Sequence, residues 1–337
     1  MKIAICPDSY GENDASSPVW SKIIKELGHE VKIVDVYKPD ILEQLIGCDG
    51  FMWRWGHGKG MSRIALRLLP VIENYLKIPV YPNNQTAWHY NDKIIQSYIF
   101  EALKLPAPKS TVYFNQQLAL KDLSEGKFNF PIVIKLSNGA GSTNVQLLNN
   151  ENSAIKWVNR LFKWRHLSLD ENNYSIKSYV YGILKGFLRG GKQLDNGIEF
   201  QSGYILLQEF LPKNDFDIRV TVIGNKAFAY RRFNRKNDFR ASGSGNFDTN
   251  PKEINISAVK LAFESAKKVN AQSVAFDILE KENQFFIIEM SYTYVSWMVH
   301  ACPGYWDSNL NWHEGQHWPE EFQINDFFKL LNTKQTK

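Results

Sequence analysis

The chain has 337 residues, 44% of them hydrophobic and 14% aromatic, with a formal net charge of +5. This composition supports two or three packed subdomains and excludes a disordered chain, and no apolar run reaches the roughly 20 residues of a membrane-spanning helix. The scattered cysteines Cys6, Cys48 and Cys302 exclude a disulfide framework and a structural zinc site, and they fit a reducing cytoplasm.

Residues 1–85 alternate strand and helix. KIAICP reads as a first strand, its apolar stretch being too short for a signal peptide. Ser17 and Pro18 open a helix that Gly28 closes. VKIVDV is a second strand, DILEQLIG a helix and GFMWRW a third strand, before the helix SRIALRLLPVIENYL with Pro70 near its end. The order predicts a small parallel α/β domain with helices over both faces of its sheet.

Residues 86–210 read as a helix, the connection LPAPKS, the strand STVYF, the helix QQLALKDLSEG and a strand–turn–strand unit in FPIVIKLSNGAGSTNVQLL. The stretch 151–200 is polar and helical and carries little functional signal. Residues 211–337 form the third predicted segment. Around its start lie the strands YILLQEF, DIRVTVIG and KAFAYRRF, followed by the helix ISAVKLAFESAKKV and the hairpin SVAFDILEKENQFFIIEMS. The tail GYWDSNLNWHEGQHW reads as aromatic and irregular, with a short helix after it.

The hairpin carries the sharpest chemical signal. Asp277 in VAFDIL and Glu289 in FFIIEM sit among apolar neighbours, where an isolated carboxylate is costly unless paired or bound to a cation. A three-residue loop at 282–284 places the two opposite each other on one face, with Cβ atoms roughly 5 Å apart. Facing carboxylates suit magnesium, a hard cation with oxygen ligands. A structural ion pair with arginine is the competing reading.

Lys135 ends the strand PIVIK, and the turn SNGAGSTN follows. Its glycines allow backbone N–H groups to wrap a phosphate, although the pattern is no Walker A loop and, taken alone, the glycines read first as a plain hairpin turn. QEFLP offers a strand end suited to an adenine edge, and DIR puts Asp217 and Arg219 on one strand face. Arg231, Arg232, Arg235 and Arg240 cluster in RRFNRKNDFR, where guanidinium forks suit phosphate.

In this order the pieces resemble the ATP-grasp superfamily, in the branch of RimK-like ligases, glutathione synthetases and D-alanine–D-alanine ligases. The resemblance runs from about Asn91 to Ser291 through NDK, PIVIK, QEFLP, DIRVTVIG, DFR, FDI and IIEM. It implies an α/β N-terminal domain followed by an α+β ATP-grasp fold of two lobes. Lys93 and Lys135 would hold ATP phosphates, with Asn138, Gly139, Gly141 and Ser142 closing over them. Gln208, Glu209 and Leu211 would line the adenine and Asp217 the ribose. Asp277, Glu289 and Ser291 would carry magnesium, or manganese in its place. Arg219, Arg232 and Arg240 would act on the reacting phosphate.

The implied activity is carboxylate–amine ligation through an acyl phosphate, releasing ADP and phosphate, on small-molecule substrates. The tail resembles those of ATP-grasp proteins linked to bacterial surface polysaccharide, which points to a sugar or sugar nucleotide carrying an amino acid. Candidate substrate residues are Asp8, Tyr10, Arg54 and His57, at the carboxyl ends of the first and third strands. Tyr292, Tyr294 and Trp297 read as core, and the three cysteines as packing residues. A cytoplasmic homodimer without membrane or nucleic-acid partners is expected. Two departures stand out: Ser291, and Ala241–Ser242 after Arg240, occupy places where the family carries asparagine. They keep open an ATP-binding module without turnover, and the arginine-rich segment keeps open a nucleic-acid binder.

Overall fold

The buried runs at residues 3–6 and 50–53 decide the first sheet. In the computed structural model, which describes residues 1–7, 16–56, 61–139, 144–163, 166–167 and 200–335, β1 (Lys2–Cys6), β2 (Glu30–Ile33), β3 (Gly50–Trp53) and β4 (Val80–Tyr81) form a parallel sheet in the order β2-β1-β3-β4. The connecting helices are α1 (Ser17–Glu26), α2 (Ile41–Gln44) and α3 (Met61–Asn74). Ser16, one residue earlier than expected, holds the N-cap position of α1, and Pro70 sits inside α3 without ending it. Phe51, Trp53, Ala65, Leu69 and Ile72 close one face of the sheet.

The predicted helix after residue 85 is divided into α4 (Asn84–Ala87) and α5 (Lys93–Ala102). Asn91 adopts φ +59° between them, and the Asp92 carboxylate caps α5 by accepting the N–H groups of Ile94 and Ile95. A second sheet follows from β5 (Ser110–Tyr113), α6 (Gln116–Ser124), β6 (Ile132–Lys135), β7 (Val145–Leu148), α7 (Glu151–Lys163) and, after the short pair β8 (His166–Leu167) and β9 (Phe200–Gln201), β10 (Ile205–Glu209). Its antiparallel order is β5-β10-β6-β7, and α6 and α7 supply its core through Ala119, Leu123, Ala154 and Val158. The helical expectation holds for 151–163; most of 164–200 lies outside the described residues.

The third sheet is built from β11 (Phe216–Ile223), β12 (Lys226–Phe233), β13 (Phe247–Asp248), β14 (Ser273–Lys281) and β15 (Gln284–Ser291), with α8 (Ile256–Val269) packed on one face. Phe100 and Leu105, from and after α5, share that core with Val220, Ala262 and Phe276. The tail differs from expectation. After α9 (Ser296–His300), residues read as irregular form the hairpin β16 (Gly304–Asp307) and β17 (Trp312–Glu314), giving the order β15-β14-β11-β12-β16-β17 with β13 beside β12. Alternation in GYWD is masked by aromatics on both faces: Trp306 meets Trp312, whereas Tyr305 meets Phe228 and Phe322.

The final helix, α10 (Pro319–Gln335), is long rather than short and returns to the first sheet. Ile324, Phe327, Phe328 and Leu331 join Ile3, Ile5, Trp20, Ile24 and Met52 in one cluster, closing the face opposite α3. Phe327 is 1% exposed, and a Cβ added to Gly50 would lie 2.8 Å from its ring. Phe327→Ala is therefore expected to cost about 3–5 kcal/mol, read by urea unfolding. Among the described residues no helix is long and apolar enough to cross a membrane.

Candidate active site

The exit of the third sheet places the hairpin carboxylates. Asp277 pairs with Glu289 across β14 and β15, as expected, but by a different route. The turn has two residues, Glu282 and Asn283, both at positive φ (+53° and +61°), not three. Alone it would set Asp277 opposite Ile288. A bulge beside Asp277 shifts the register by one and restores the pair.

Pairing also brings Arg219 opposite Asp277 and Arg232 opposite Asp217. Arg219 grips Asp277 with Nε–Oδ1 at 2.7 Å and a second bond to Oδ2 at 2.8 Å. Arg232 grips Asp217 in the same forked way, at 2.8 and 2.6 Å, and its outer nitrogen lies 2.6 Å from Asp277 Oδ2. Two cations and two anions thus neutralise each other in a buried square. Burial pushes the Asp277 carboxyl up, but the two guanidinium groups outweigh it and hold it well below the usual range. The expected ribose contact of Asp217 meets a carboxylate 5% exposed whose two oxygens both accept from Arg232.

Lys93, at the start of α5, donates to the Gly139 carbonyl at 2.8 Å and lies 3.7 Å from Glu289. Lys135, at the end of β6, donates at 2.9 Å to the carbonyl of Ile288, the residue passed over by the bulge. Burial lowers the Lys135 ammonium to about 8, with Glu289 partly opposing and Lys93 assisting. The segment before α5 also grips the phosphate-turn candidate: Lys93 N–H donates to Ser137 O at 2.8 Å and Gly139 N–H to Asn91 Oδ1 at 2.9 Å. Asn138 is buried, and its carbonyl accepts from Asn144 at 2.8 Å. Gly141 and Ser142 lie outside the described residues, as do Asp8, Tyr10 and His57.

Two cavities meet at this square. The smaller, about 100 Å³, lies under β10 and the strand exit, among Val133, Lys135, Phe210, Leu211, Phe239 and Leu279. Gln208 in its wall is buried and donates to Ser110 Oγ at 2.9 Å, whereas Glu209 reaches the surface and pairs with Lys281 at 2.7 Å. The larger, about 460 Å³, opens towards the first sheet among Arg54, Asn91, Ser244, Asn246, Thr293 and Val295. Arg232, Ala241, Ser242, Asp277 and Glu289 border both.

Other expected residues fall around this divide. The strand carrying Arg231 and Arg232 ends at Phe233, so Arg235 and Arg240 belong to the loop after it. Arg240 folds onto Asp238, 2.6 Å away, and donates to Val145 O at 3.2 Å. Arg235 donates to the Ser242 carbonyl. Arg54 donates to the Tyr294 carbonyl at 3.1 Å. The Ser291 hydroxyl donates to Thr293 O at 2.8 Å, accepts Thr293 N–H at 3.2 Å and lies 3.1 Å from Thr293 Oγ1, so its own neighbours already engage it. Tyr292 and Tyr294 are buried with engaged hydroxyls, as core aromatics should be, while Trp297 is 54% exposed. All three cysteines are buried, and none of them forms a disulfide.

Residues 185–296 match the model of a family described as the RimK-like ATP-grasp domain. Over that third of the chain the sequence is similar to RimK-like ATP-grasp domains. The match includes Gln208 through Ser291 and leaves Lys93 and Lys135 before it. Whole-chain comparison extends the ATP-grasp fold across those residues. A RimK-domain ATP-grasp protein from Sphaerobacter thermophilus superposes with a TM-score of 0.57 at 14% identity, over 97% of this chain and 99% of that one. The D-alanine–D-alanine ligase of Bacillus anthracis gives 0.58 at 12% identity, over 99% of each chain. The N5-carboxyaminoimidazole ribonucleotide synthetase of Thermotoga maritima gives 0.58 at 14% identity, over 97% of this chain and 75% of that one. No curated protein sequence matches significantly.

Within the ATP-grasp fold one residue escaped sequence reasoning. Gln96, one turn after Lys93, clamps the Met290 backbone, donating to its carbonyl at 2.9 Å and accepting its N–H at 3.2 Å. It thereby fixes the strand beside Glu289. A lone glutamine on a helix gives no sequence signal of such a task.

Among the described residues no three His, Cys, Asp or Glu side chains converge as a metal cage. The donor set nonetheless fits magnesium, which is commonly held by one or two carboxylates together with substrate phosphates and water. Arg219 and Arg232 leave one lone-pair position on Asp277 Oδ1, and the Glu289 side chain is 35% exposed.

Proposed function

We propose that the protein is a magnesium- and ATP-dependent ligase that activates a carboxylate and joins it to an amine. The observation that carries this reading is the pair of cavities sharing one wall of Asp277, Glu289 and Arg232. The smaller takes the nucleotide, with adenine against Gln208, Glu209 and Leu211 and ribose beside Asp217. The larger takes the carboxylate and amine substrates. Solved structures of the same fold include a D-alanine–D-alanine ligase with ATP and an ATP-grasp ligase with its precursor, magnesium and ADP, which supports the assignment.

Lys93 and Lys135 bind the phosphates, and the turn from Asn138 through Ser142 covers them. Asp277 and Glu289 hold magnesium, with Ser291 at most a weak third ligand; the ion supplies charge neutralisation on the phosphate oxygens. Arg219 and Arg232 orient Asp277 and face the reacting phosphate, and Arg240 ties the covering sheet to the loop beside it. A substrate carboxylate oxygen bonds to the γ-phosphorus as the bond to the β-phosphate bridge breaks, releasing ADP. The amine nitrogen then bonds to the acyl carbon, phosphate departs and the amine loses a proton. Fixed cations and positioning account for the first step. Arg54 favours an anionic group on a substrate, as a sugar nucleotide or an amino acid would present.

The test is thermal unfolding with and without Mg-ADP. Ligand at about 100 times its dissociation constant adds roughly 2.7 kcal/mol, a rise of several degrees. The rise should need magnesium and vanish in Lys135→Ala; wild type without any rise would sink the nucleotide reading. The committed hydroxyl of Ser291 favours, as a second reading, a nucleotide binder without turnover. Phosphate release during a substrate screen separates the two.

The pH dependence has a definite sign. Lys135 titrates near 8 when free, and phosphate oxygens raise that value on binding, so binding takes up a proton in alkaline solution. Mg-ADP affinity is expected to be flat up to about pH 7 and then to fall by up to about tenfold per pH unit. Calorimetric titrations should show this slope in the wild type and its loss in Lys135→Arg.

A further inference from the structure

The helix α10 buries two polar side chains in its first turns, Glu320 at 0% and Gln323 at 5% exposure. Apolar residues would close the sheet there at less cost, because a buried polar group is unfavourable unless its partners are satisfied. Gln323 accepts from Trp20 Nε1 at 2.9 Å and donates to the Tyr294 hydroxyl at 2.7 Å, which also lies 2.7 Å from Ser273 Oγ. Glu320 Oε1 accepts from Ser296 Oγ at 2.6 Å and Ser16 Oγ at 3.2 Å, while Oε2 has no partner. Burial pushes the Glu320 carboxyl up; the two serines and the charge of Arg54 oppose it.

These bonds end at the larger cavity. Tyr294 and Val295 line it, and the Tyr294 carbonyl accepts from Arg54, which lines it from the end of β3. Between them lies a void of about 10 Å³, enclosed by Trp20, Arg54, Tyr81, Ser273, Tyr294 and Gln323. That is barely room for one water, so a shift of Gln323 passes directly to Tyr294.

We propose that Gln323 and Glu320 are positioning residues of the acceptor side of the cleft, holding Tyr294 and Ser296 so that Arg54 faces an anionic group of the substrate. The proposal rests on the larger cavity being the substrate site. The helix that closes the first sheet, tied to α1 by contacts 303 and 304 residues apart, thereby also sets the substrate wall through contacts 29 and 24 residues apart.

The test needs neither nucleotide nor acceptor. Wild type, Gln323→Leu, Tyr294→Phe, the double variant and Phe327→Leu are treated with p-hydroxyphenylglyoxal, and modification of Arg54 is timed by peptide mass spectrometry. Gln323→Leu and Tyr294→Phe should each change the Arg54 rate by roughly fivefold, the equivalent of about one neutral hydrogen bond. The double variant should match the singles, because one chain of contacts is cut twice. Phe327→Leu should lower the melting temperature and leave the Arg54 rate alone. Equal rates in all variants would overturn the proposal, and so would a change shared by Phe327→Leu. Should Gln323→Leu not fold, Tyr294→Phe against Phe327→Leu decides. Failure of the ligase reading would show separately, as absent Mg-ADP stabilisation in the wild type.

Discussion

Arg232→Met is expected to destabilise the protein by about 3–5 kcal/mol at neutral pH, because one arginine would then face two buried aspartates. Asp217 and Asp277 are each 5% exposed, and Arg232 is the cation that touches both. The side chains differ little in volume, so the loss is electrostatic and should depend on pH. In the wild type the depressed Asp277 carboxyl contributes stability that is present above the ordinary aspartate range and lost as the solution is acidified through its folded value. In the variant the aspartates are free to take up a proton. The stability gap should therefore narrow below about pH 4. Urea unfolding at neutral and acid pH reads this. Arg231→Met is the contrast: its partners Asp248 and Glu253 are at the edge of the sheet, 30% and 50% exposed, and the expected loss is about 1 kcal/mol or less. Equal losses at the two positions would show that the buried square has no special weight.

Glu289→Gln is expected to leave stability nearly intact and to remove magnesium-dependent activity. Its carboxylate is 35% exposed and 3.7 Å from Lys93, a distance worth little in the folding balance. The amide keeps the shape and loses the charge. Asp277 cannot compensate alone, since three guanidinium N–H bonds leave it a single lone-pair position. Phosphate release is expected to fall by about 10³-fold, with the magnesium-dependent part of the Mg-ADP melting shift gone. A variant that kept both would move the metal away from this hairpin. Asp277→Asn is the less informative choice, because it also breaks the buried square.

Much of the site was legible because its signals are local. Apolar flanks around Asp277 and Glu289 announce buried strands, and period-two alternation puts Asp217 beside Arg219. What escaped was long-range pairing. Asp277 and Arg219 are 58 residues apart, so sequence could name the ion pair as a competing reading but could not show that both arginines hold one carboxylate while Glu289 stays open. The predicted facing of Asp277 and Glu289 came out of a loop one residue too long; a bulge invisible in sequence compensates. The tail looked irregular because its strands carry aromatics on both faces, which erases the alternation that marks a half-buried strand. The docking of α10 depends on a face, containing Ile3, Ile5 and Met52, whose need for a cover is apparent only once the sheet exists.

That docking has a consequence for biosynthesis. Residues 2–53 emerge from the ribosome long before residues 319–335, yet α1 alone covers only part of the face that the last helix completes. Domain-by-domain folding along the nascent chain is therefore closed to the first sheet, which must wait with part of the cluster around Ile3, Ile5 and Met52 uncovered or be shielded meanwhile. Premature termination anywhere before Phe327 would leave a sticky product rather than a shorter enzyme, a hazard for expression in cells poor in chaperones.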